Sequence, residues 1–219
     1  MKDTSFTADR LLALYDRVAE AEDAIPRLRR FVLDLAVRGK LVEQDPSDEP
    51  TAELLKRIAK EKARLVKAGT IRQREDLAEV AEDEQPFVLP TSWTWVRLAH
   101  IADFLAGRTP ARNEHSYWNT GDYPWVSIAD MTDGAVLTET KETVSELAAQ
   151  RVFGASPSPS GTMIMSFKLT IGKIARLGVD AYHNEAIISI RPFVAECDEY
   201  LFRVLPEFAR QGCLLYTSP

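Results

Sequence analysis

Leu11, Leu14, Val18, Ala21, Ile25, Leu28, Val32 and Leu35 recur at alternating spacings of three and four. That spacing puts all eight side chains on one seam of a helix, sustained over more than three heptads. Asp, Glu and Arg fill most of the positions between them, as a solvated face requires. Pro26 interrupts the run and is expected to kink the helix or divide it in two, because it lacks a backbone donor and crowds the preceding turn. Arg38-Gly39-Lys40 reads as a stop, with Gly just past the last turn and cations beside it. Asp45–Pro50 is a turn-rich connector, and Pro50 suits the start of a second helix. Leu54, Leu55, Ile58, Leu65 and Val66 give that helix a narrower apolar stripe, and Gly69 ends it. Two helices with a short connector predict an antiparallel hairpin. Such a hairpin buries the first seam poorly on its own, so a partner helix is expected. A helix packed on its own domain would show the same pattern.

Residues 70–85 form a polar, acidic linker, and the segment Glu84–Val96, EQPFVLPTSWTWV, is a Pro-bracketed junction. Beyond it the apolar period changes. Trp93, Trp95 and Leu98 begin a core, and Leu98–Leu105 reads as a short helix or strand leading into Gly107. Gly107–Trp118 is a long polar loop. Tyr123–Ile128, Thr162–Phe167, Ile171–Leu177 and Ile187–Ile190 read as strands, Ser145–Arg151 as a short helix and Asp198–Arg210 as a closing helix. The fold class is therefore α+β: a helical hairpin or coiled-coil arm with its linker over residues 1–85, then a mixed α/β domain with short strands over 86–212. The ending 213–219 drops the helical pattern and reads as a non-native or truncated tail.

The chain has 219 residues and a net charge of −6. Residues 1–85 carry 16 Lys+Arg against 19 Asp+Glu, and residues 86–219 carry 11 against 14, so each half is −3. A general positive field is excluded; contact with nucleic acid would need a local basic patch or a partner's charge. The basic run Lys56–Lys67 on the second helix also reads as a solvated face with pairs such as Glu53–Arg57. The longest apolar stretch, around Met163–Phe167, is strand-sized, so no membrane span is expected. MKDTSFTADR lacks the apolar core of a secretion signal, and Cys197 and Cys213 form no CxxC. A cytoplasmic chain with free thiols and no zinc site is the expectation.

No catalytic set is present in the sequence. There is no Gly-rich phosphate loop, no Ser–His–acid spacing, no HExxH, no Asn-Pro-Pro-Tyr and no PD-(D/E)xK cluster. His100, His115 and His183 are scattered and read as structural or exposed. The polar loops instead carry side chains suited to DNA. Arg108 and Arg112 can pair with guanine O6/N7 and Asn113 with adenine N6/N7, with Thr109 beside them. Ser166, Lys168, Thr170 and Lys173 alternate along a strand–corner–strand segment, where Lys168 and Lys173 can meet phosphates and Thr170 can donate to one. A solvated loop accounts equally for Arg108 and Arg112, and an exposed strand residue accounts for Lys173. Trp118, Tyr123 and Trp125 read as core rather than stacking platforms.

Several segments, taken in order, resemble the specificity subunit of type I restriction-modification systems. They are Leu33–Val42, Gln44–Pro50, Glu53–Ile58, Leu89-Pro-x-x-Trp93-x-Trp-Val-x-Leu98, Gly107-x-Thr-Pro110, Gly121–Val126 with Asp130, Gly161-Thr-x-x-x-Ser166, Ile171-Gly-Lys173, Asn184–Ile187 and Ile190-x-Pro192. The resemblance runs from about residue 28 to residue 210. It implies a non-catalytic subunit that reads one half of a bipartite site on double-stranded DNA through a target-recognition domain. It implies docking to methyltransferase subunits that methylate adenine, and to restriction subunits. S-adenosylmethionine, ATP and Mg would be bound by those partners, with no cofactor in this chain. The helical seam (Leu11, Leu14, Val18, Ile25, Leu28, Val32, Leu35) would be the docking surface. The chain carries one recognition domain where a complete member usually has two, so an amino-terminal fragment is expected, or a half-length subunit that pairs with itself. Two other readings stay open: a coiled-coil adaptor whose globular part binds protein, and the recognition segment of a single-chain restriction–methyltransferase.

Overall fold

The computed structural model describes residues 23–210, apart from Asp76, Leu169 and the side chain of Arg210. By compactness the chain divides into one unit of Met1–Asp48 with Phe87–Trp93 and another of Glu49–Pro86 with Thr94–Pro219. This division differs from the single boundary after residue 85 that the hydrophobic pattern suggests.

The first unit is built on helix α1, Ala24–Val37. Pro26 falls in its first turn, where a missing N–H removes no helical hydrogen bond. The helix ends where the Gly pattern predicts. Gly39 N–H donates to Ala36 O (3.0 Å) and Lys40 N–H to Leu35 O (2.8 Å), the paired bonds of a Schellman stop. Gly39 sits at φ +65°, and a Cβ there would stand 2.3 Å from Pro90 Cγ. Arg38 lies over the Phe87 ring at 4.5 Å and bonds Asp34, so the returning segment 87–93 is held at the end of α1. Ile25, Leu28 and Val32 are exposed, at 66%, 48% and 41%, while Leu35 is half-buried. Their seam-mates Leu11, Leu14 and Val18 lie outside the described residues.

The second unit contains helix α2, Thr51–Lys67, closed by the same stop at Gly69. Eight strands follow: β1 Ala102–Ala106, β2 Trp118–Val126, β3 Ala135–Leu137, β4 Glu142–Val144, β5 Met163–Ser166, β6 Ile174–Leu177, β7 Tyr182–His183 and β8 Ile187–Pro192. A five-stranded sheet has the order β1-β8-β5-β6-β3, and a three-stranded sheet the order β4-β2-β7. The helices are α3 Leu98–Ile101, α4 Glu146–Ala148, which runs into a wider π turn at Ala149–Phe153, and α5 Glu196–Arg210. Leu98–Leu105 thus contains both a helical turn and a strand.

Period-two alternation divides the large sheet between two cores. Met163, Met165, Ile174 and Ile190 face one side with Ile58 of α2 and with Phe193, Cys197, Leu201 and Leu205. Ile164, Ala175, Leu177 and Ile187 face the other side with Val126, Met131 and Ala181. A third cluster joins Trp125, Val144, Ala148 and Tyr182 with Tyr117, Trp118, Tyr123 and Phe153. Trp118, Tyr123 and Trp125 are therefore packing residues, as expected; Trp118 meets Trp125 edge-on at 5.0 Å. Cys197 is a buried free thiol, and burial pushes its pKa up.

The stripe of α2 belongs to this unit: Ile58 is 1% exposed, and Leu54, Leu55 and Leu65 pack around it. A helix of an independent arm would tolerate truncation there. Ile58→Ala is instead expected to cost about 2–5 kcal/mol, since a large apolar side chain leaves a cavity in a close-packed core. The urea midpoint of the full chain measures this. A midpoint shift worth less than about 0.5 kcal/mol, the usual size of a surface effect, would contradict that packing.

Candidate nucleic-acid interface

The loop Gly107–Trp118 is fastened at its base by backbone. Gly107 N–H donates to Ile187 O (3.0 Å) and Arg108 N–H to His183 O (2.9 Å). A Cβ on Gly107 would stand 1.9 Å from His183 O and 2.4 Å from Asn184 O, so no side chain fits. Arg108 O accepts from Trp125 Nε1 (3.0 Å), and the Arg108 guanidinium donates to Val152 O (2.5 Å) on the π turn. His183 is buried beneath this junction, and burial lowers its pKa, which keeps the ring neutral at pH 7. It supports the loop and carries no exposed imidazole for catalysis.

Farther along, Pro110 is fully buried and Trp118 Nε1 donates to Ala111 O (3.1 Å). Arg112 is clamped by both oxygens of Glu142 (2.5 and 3.1 Å) and stacks 3.9 Å over the Trp118 ring. Glu114 turns back to accept from the Ser116 hydroxyl (2.7 Å) and backbone N–H (3.4 Å). These bonds, hydroxyl first, hold the Glu114 carboxyl below its ordinary range, helped by the charges of His115 and Arg151. Asn113 and His115 are exposed, and no side-chain partner holds either among the described residues.

The corner between β5 and β6 is organised by Ser166. Sequence alternation places Ser166 on an outward face with Lys168, Thr170 and Lys173. Instead Ser166 is fully buried, and its hydroxyl donates to Thr170 O and accepts from Lys173 N–H (3.2 Å). The alternation fails because β5 ends at Ser166 and β6 begins only at Ile174. Lys168 and Thr170 remain exposed, while Lys173 is half-buried and donates to Ile128 O (3.3 Å).

Loop and corner meet at Glu185. Thr109 donates to its carboxylate, and Phe167 N–H donates to Ala186 O (3.0 Å). The Thr109 bond, followed by the residue's own amide, holds the Glu185 carboxyl below its ordinary range, and Lys168 and Arg112 act in the same direction. The structure therefore groups Thr109, Arg112 and Lys168. It removes Ser166 from the surface and fixes Arg108 and Arg112 by internal bonds.

Charge pairing is uneven across the second unit. On α2, α5 and the segments beside them, Arg57, Arg64, Arg74, Arg97, Arg176, Arg191 and Arg203 all face carboxylates. Arg108, Lys141, Arg151, Lys168 and Lys173 make no ion pair among the described residues, and all five lie on the loops and turns around the two sheets. Lys60, Lys67 and Arg72 are also without ion pairs, but they stand at or just beyond the solvent side of α2. The sequence assigns no role to Lys141, Arg151 or Glu185, and His115 reads there only as structural or exposed. Their neighbours in space are distant in the chain, so only the formula of the loop could have hinted at His115.

Among the described residues no group of three or more His, Cys, Asp or Glu could hold a metal, and no helix is long and apolar enough to cross a membrane.

Residues 90–210 match the type I restriction modification DNA specificity domain. Among individual proteins, the chain is similar to the specificity subunit of the type I restriction enzyme EcoAI of Escherichia coli, with 50% identity over 93 residues. That alignment covers 42% of this chain and 16% of the subunit. The EcoEI specificity subunit of the same species is 58% identical over 78 residues, 36% of this chain and 13% of that one. Among solved structures, the HsdS subunit from Thermoanaerobacter tengcongensis aligns with a TM-score of 0.46 at 16% identity, over 96% of this chain and 42% of that one. The chain thus matches only a minor part of these relatives' length.

Proposed function

We propose that this chain, which belongs to the type I restriction-modification DNA specificity family, reads one half of a bipartite site on double-stranded DNA and leaves chemistry to its partners. The duplex lies across the loop Gly107–Trp118 and the corner 166–173. The observation that carries this reading is that, in an acidic chain, Arg108, Lys141, Arg151, Lys168 and Lys173 make no ion pair among the described residues and all lie on the loops and turns around the sheets. Neutralising those cations is work that DNA phosphates can do. In this reading Lys168 and Lys173 meet phosphates, and Thr170 supplies a hydroxyl donor, while Thr109 is spent on Glu185. Arg108 and Arg112 hold the loop in shape, and base contact falls to other residues of the loop. The exposed seam of α1 docks a methyltransferase subunit, and restriction subunits join the same cytoplasmic complex. S-adenosylmethionine, ATP and Mg are bound by those subunits.

The test is a binding titration of the complex with its methyltransferase, against selected and scrambled duplexes at several salt concentrations. Lys168→Ala and Lys173→Ala should each weaken binding to every sequence and lower the salt slope by roughly one unit. Binding that is insensitive to salt and sequence would favour the protein-binding adaptor instead. Methyl transfer, nuclease or ATPase activity by the purified chain alone would overturn the division of labour.

A further inference from the structure

Within the loop Gly107–Trp118, most side chains are spent on the loop's own structure, including Thr109 on Glu185 and Tyr117 in the aromatic cluster. Arg112 is clamped to Glu142, Glu114 and Ser116 bond each other, and Trp118 closes onto Ala111 O. These residues build the loop, while Asn113 and His115 stand exposed, with no hydrogen-bond partner for either side chain among the described residues. Both types carry donors and acceptors of the kind that read base edges; an Asn amide matches adenine N6 and N7, and an imidazole can donate to or accept from a base. A rigid mount matters because a pre-ordered side chain loses less freedom on contact.

A third group stands beside them. Arg151 is exposed on the π turn, the segment that Arg108 ties to this loop through Val152 O. Its charge acts on Glu114, between Asn113 and His115. It makes no contact ion pair or side-chain hydrogen bond among the described residues, unlike Arg112.

We propose that Asn113 and His115 are the base-reading pair of this domain and that Arg151 anchors an adjacent phosphate of the duplex. This rests on the DNA-reading function proposed above and assigns the specificity to particular atoms. Asn113 and His115 set which base pairs are accepted. Arg151 adds affinity without preference and fixes the register of the loop in the groove.

The experiment uses the full chain assembled with its methyltransferase and a duplex library randomised across the half-site. Asn113→Ala and His115→Ala should each relax the selected preference at one or two positions, by roughly 5- to 150-fold in relative affinity, with the salt slope unchanged. Arg151→Ala should weaken all duplexes alike and lower the salt slope by about one, and Arg151→Lys should restore it. All three residues are exposed, so loss of the fold is not the expected cause of any change. If the parent complex selects a sequence and both Asn113→Ala and His115→Ala select the same one, the reading pair is refuted while the DNA-reading function stands. An unchanged salt slope in Arg151→Ala refutes the anchor. If the parent complex selects nothing, the function falls and this inference falls with it.

Discussion

Gly107→Ala is expected to cost about 4 kcal/mol or more, enough to remove most of the stability of an ordinary domain. The added Cβ would lie 1.9 Å from His183 O and 2.4 Å from Asn184 O, and both obstacles are backbone rather than the tip of a flexible side chain. Relief requires moving β1 away from the β7–β8 turn. That movement breaks the bonds from Gly107 N–H to Ile187 O and from Arg108 N–H to His183 O. Each bond so broken leaves a shielded polar group without a partner, at about 1–3 kcal/mol, and the steric strain adds about 1–3 kcal/mol. The consequence reaches the loop, since Arg108 and Thr109 take their positions from this junction. The urea midpoint and near-ultraviolet circular dichroism should change together. A variant that unfolds within about 0.5 kcal/mol of the parent, the range of ordinary surface substitutions, would mean the approach is not as close as described.

The double variant Leu28→Asp, Val32→Asp should lose co-purification with the methyltransferase subunit while the chain itself keeps its stability. In the free chain these side chains are 48% and 41% exposed, so carboxylates there meet water and cost little. Fully burying an apolar side chain of this size contributes about 1.5–3 kcal/mol. With less than half of each side chain left to cover, losing both weakens the interface by about 2 kcal/mol, roughly thirtyfold in affinity. A carboxylate enclosed without a partner charge adds to that loss. Pull-down and analytical ultracentrifugation of the co-expressed proteins read the result. Undiminished co-purification would remove the seam of α1 from the docking surface. Unfolding of the variant alone would show instead that the seam packs within its own chain.

What the sequence determined by itself was local. The stops at Gly39 and Gly69 follow from a residue able to adopt positive φ after the last turn, and their bonds close within five residues. The alternation in β5 and β8 separates two cores because successive side chains must point to opposite faces. The aromatic residues of β2 pack for their area alone, Trp125 buried and Trp118 and Tyr123 half-buried against it. Family membership was also readable, since the order of short motifs survives without any knowledge of their geometry.

The tertiary structure decided which polar groups remain free. Arg112 and Asn113 are adjacent and equally suited to a base edge, yet Glu142, thirty residues away, captures the first, and among the described residues nothing captures the second. Arg108 is taken by Val152, Thr109 by Glu185, and Ser166 by its own corner. Arg151 stands beside the loop because the Arg108–Val152 bond, the bond from Ser145 N–H to Tyr117 O and the packing of Ala149 and Phe153 with Tyr117 and Trp118 bring the π turn to it. Tertiary packing likewise joined α2 to the sheet, where the sequence placed it in an arm. The physical reason is common to these cases except Ser166, whose partners lie four and seven residues on. A hydrogen-bond donor near several acceptors binds the one that folding brings within about 3 Å, and that partner comes from a part of the chain that local spacing does not encode.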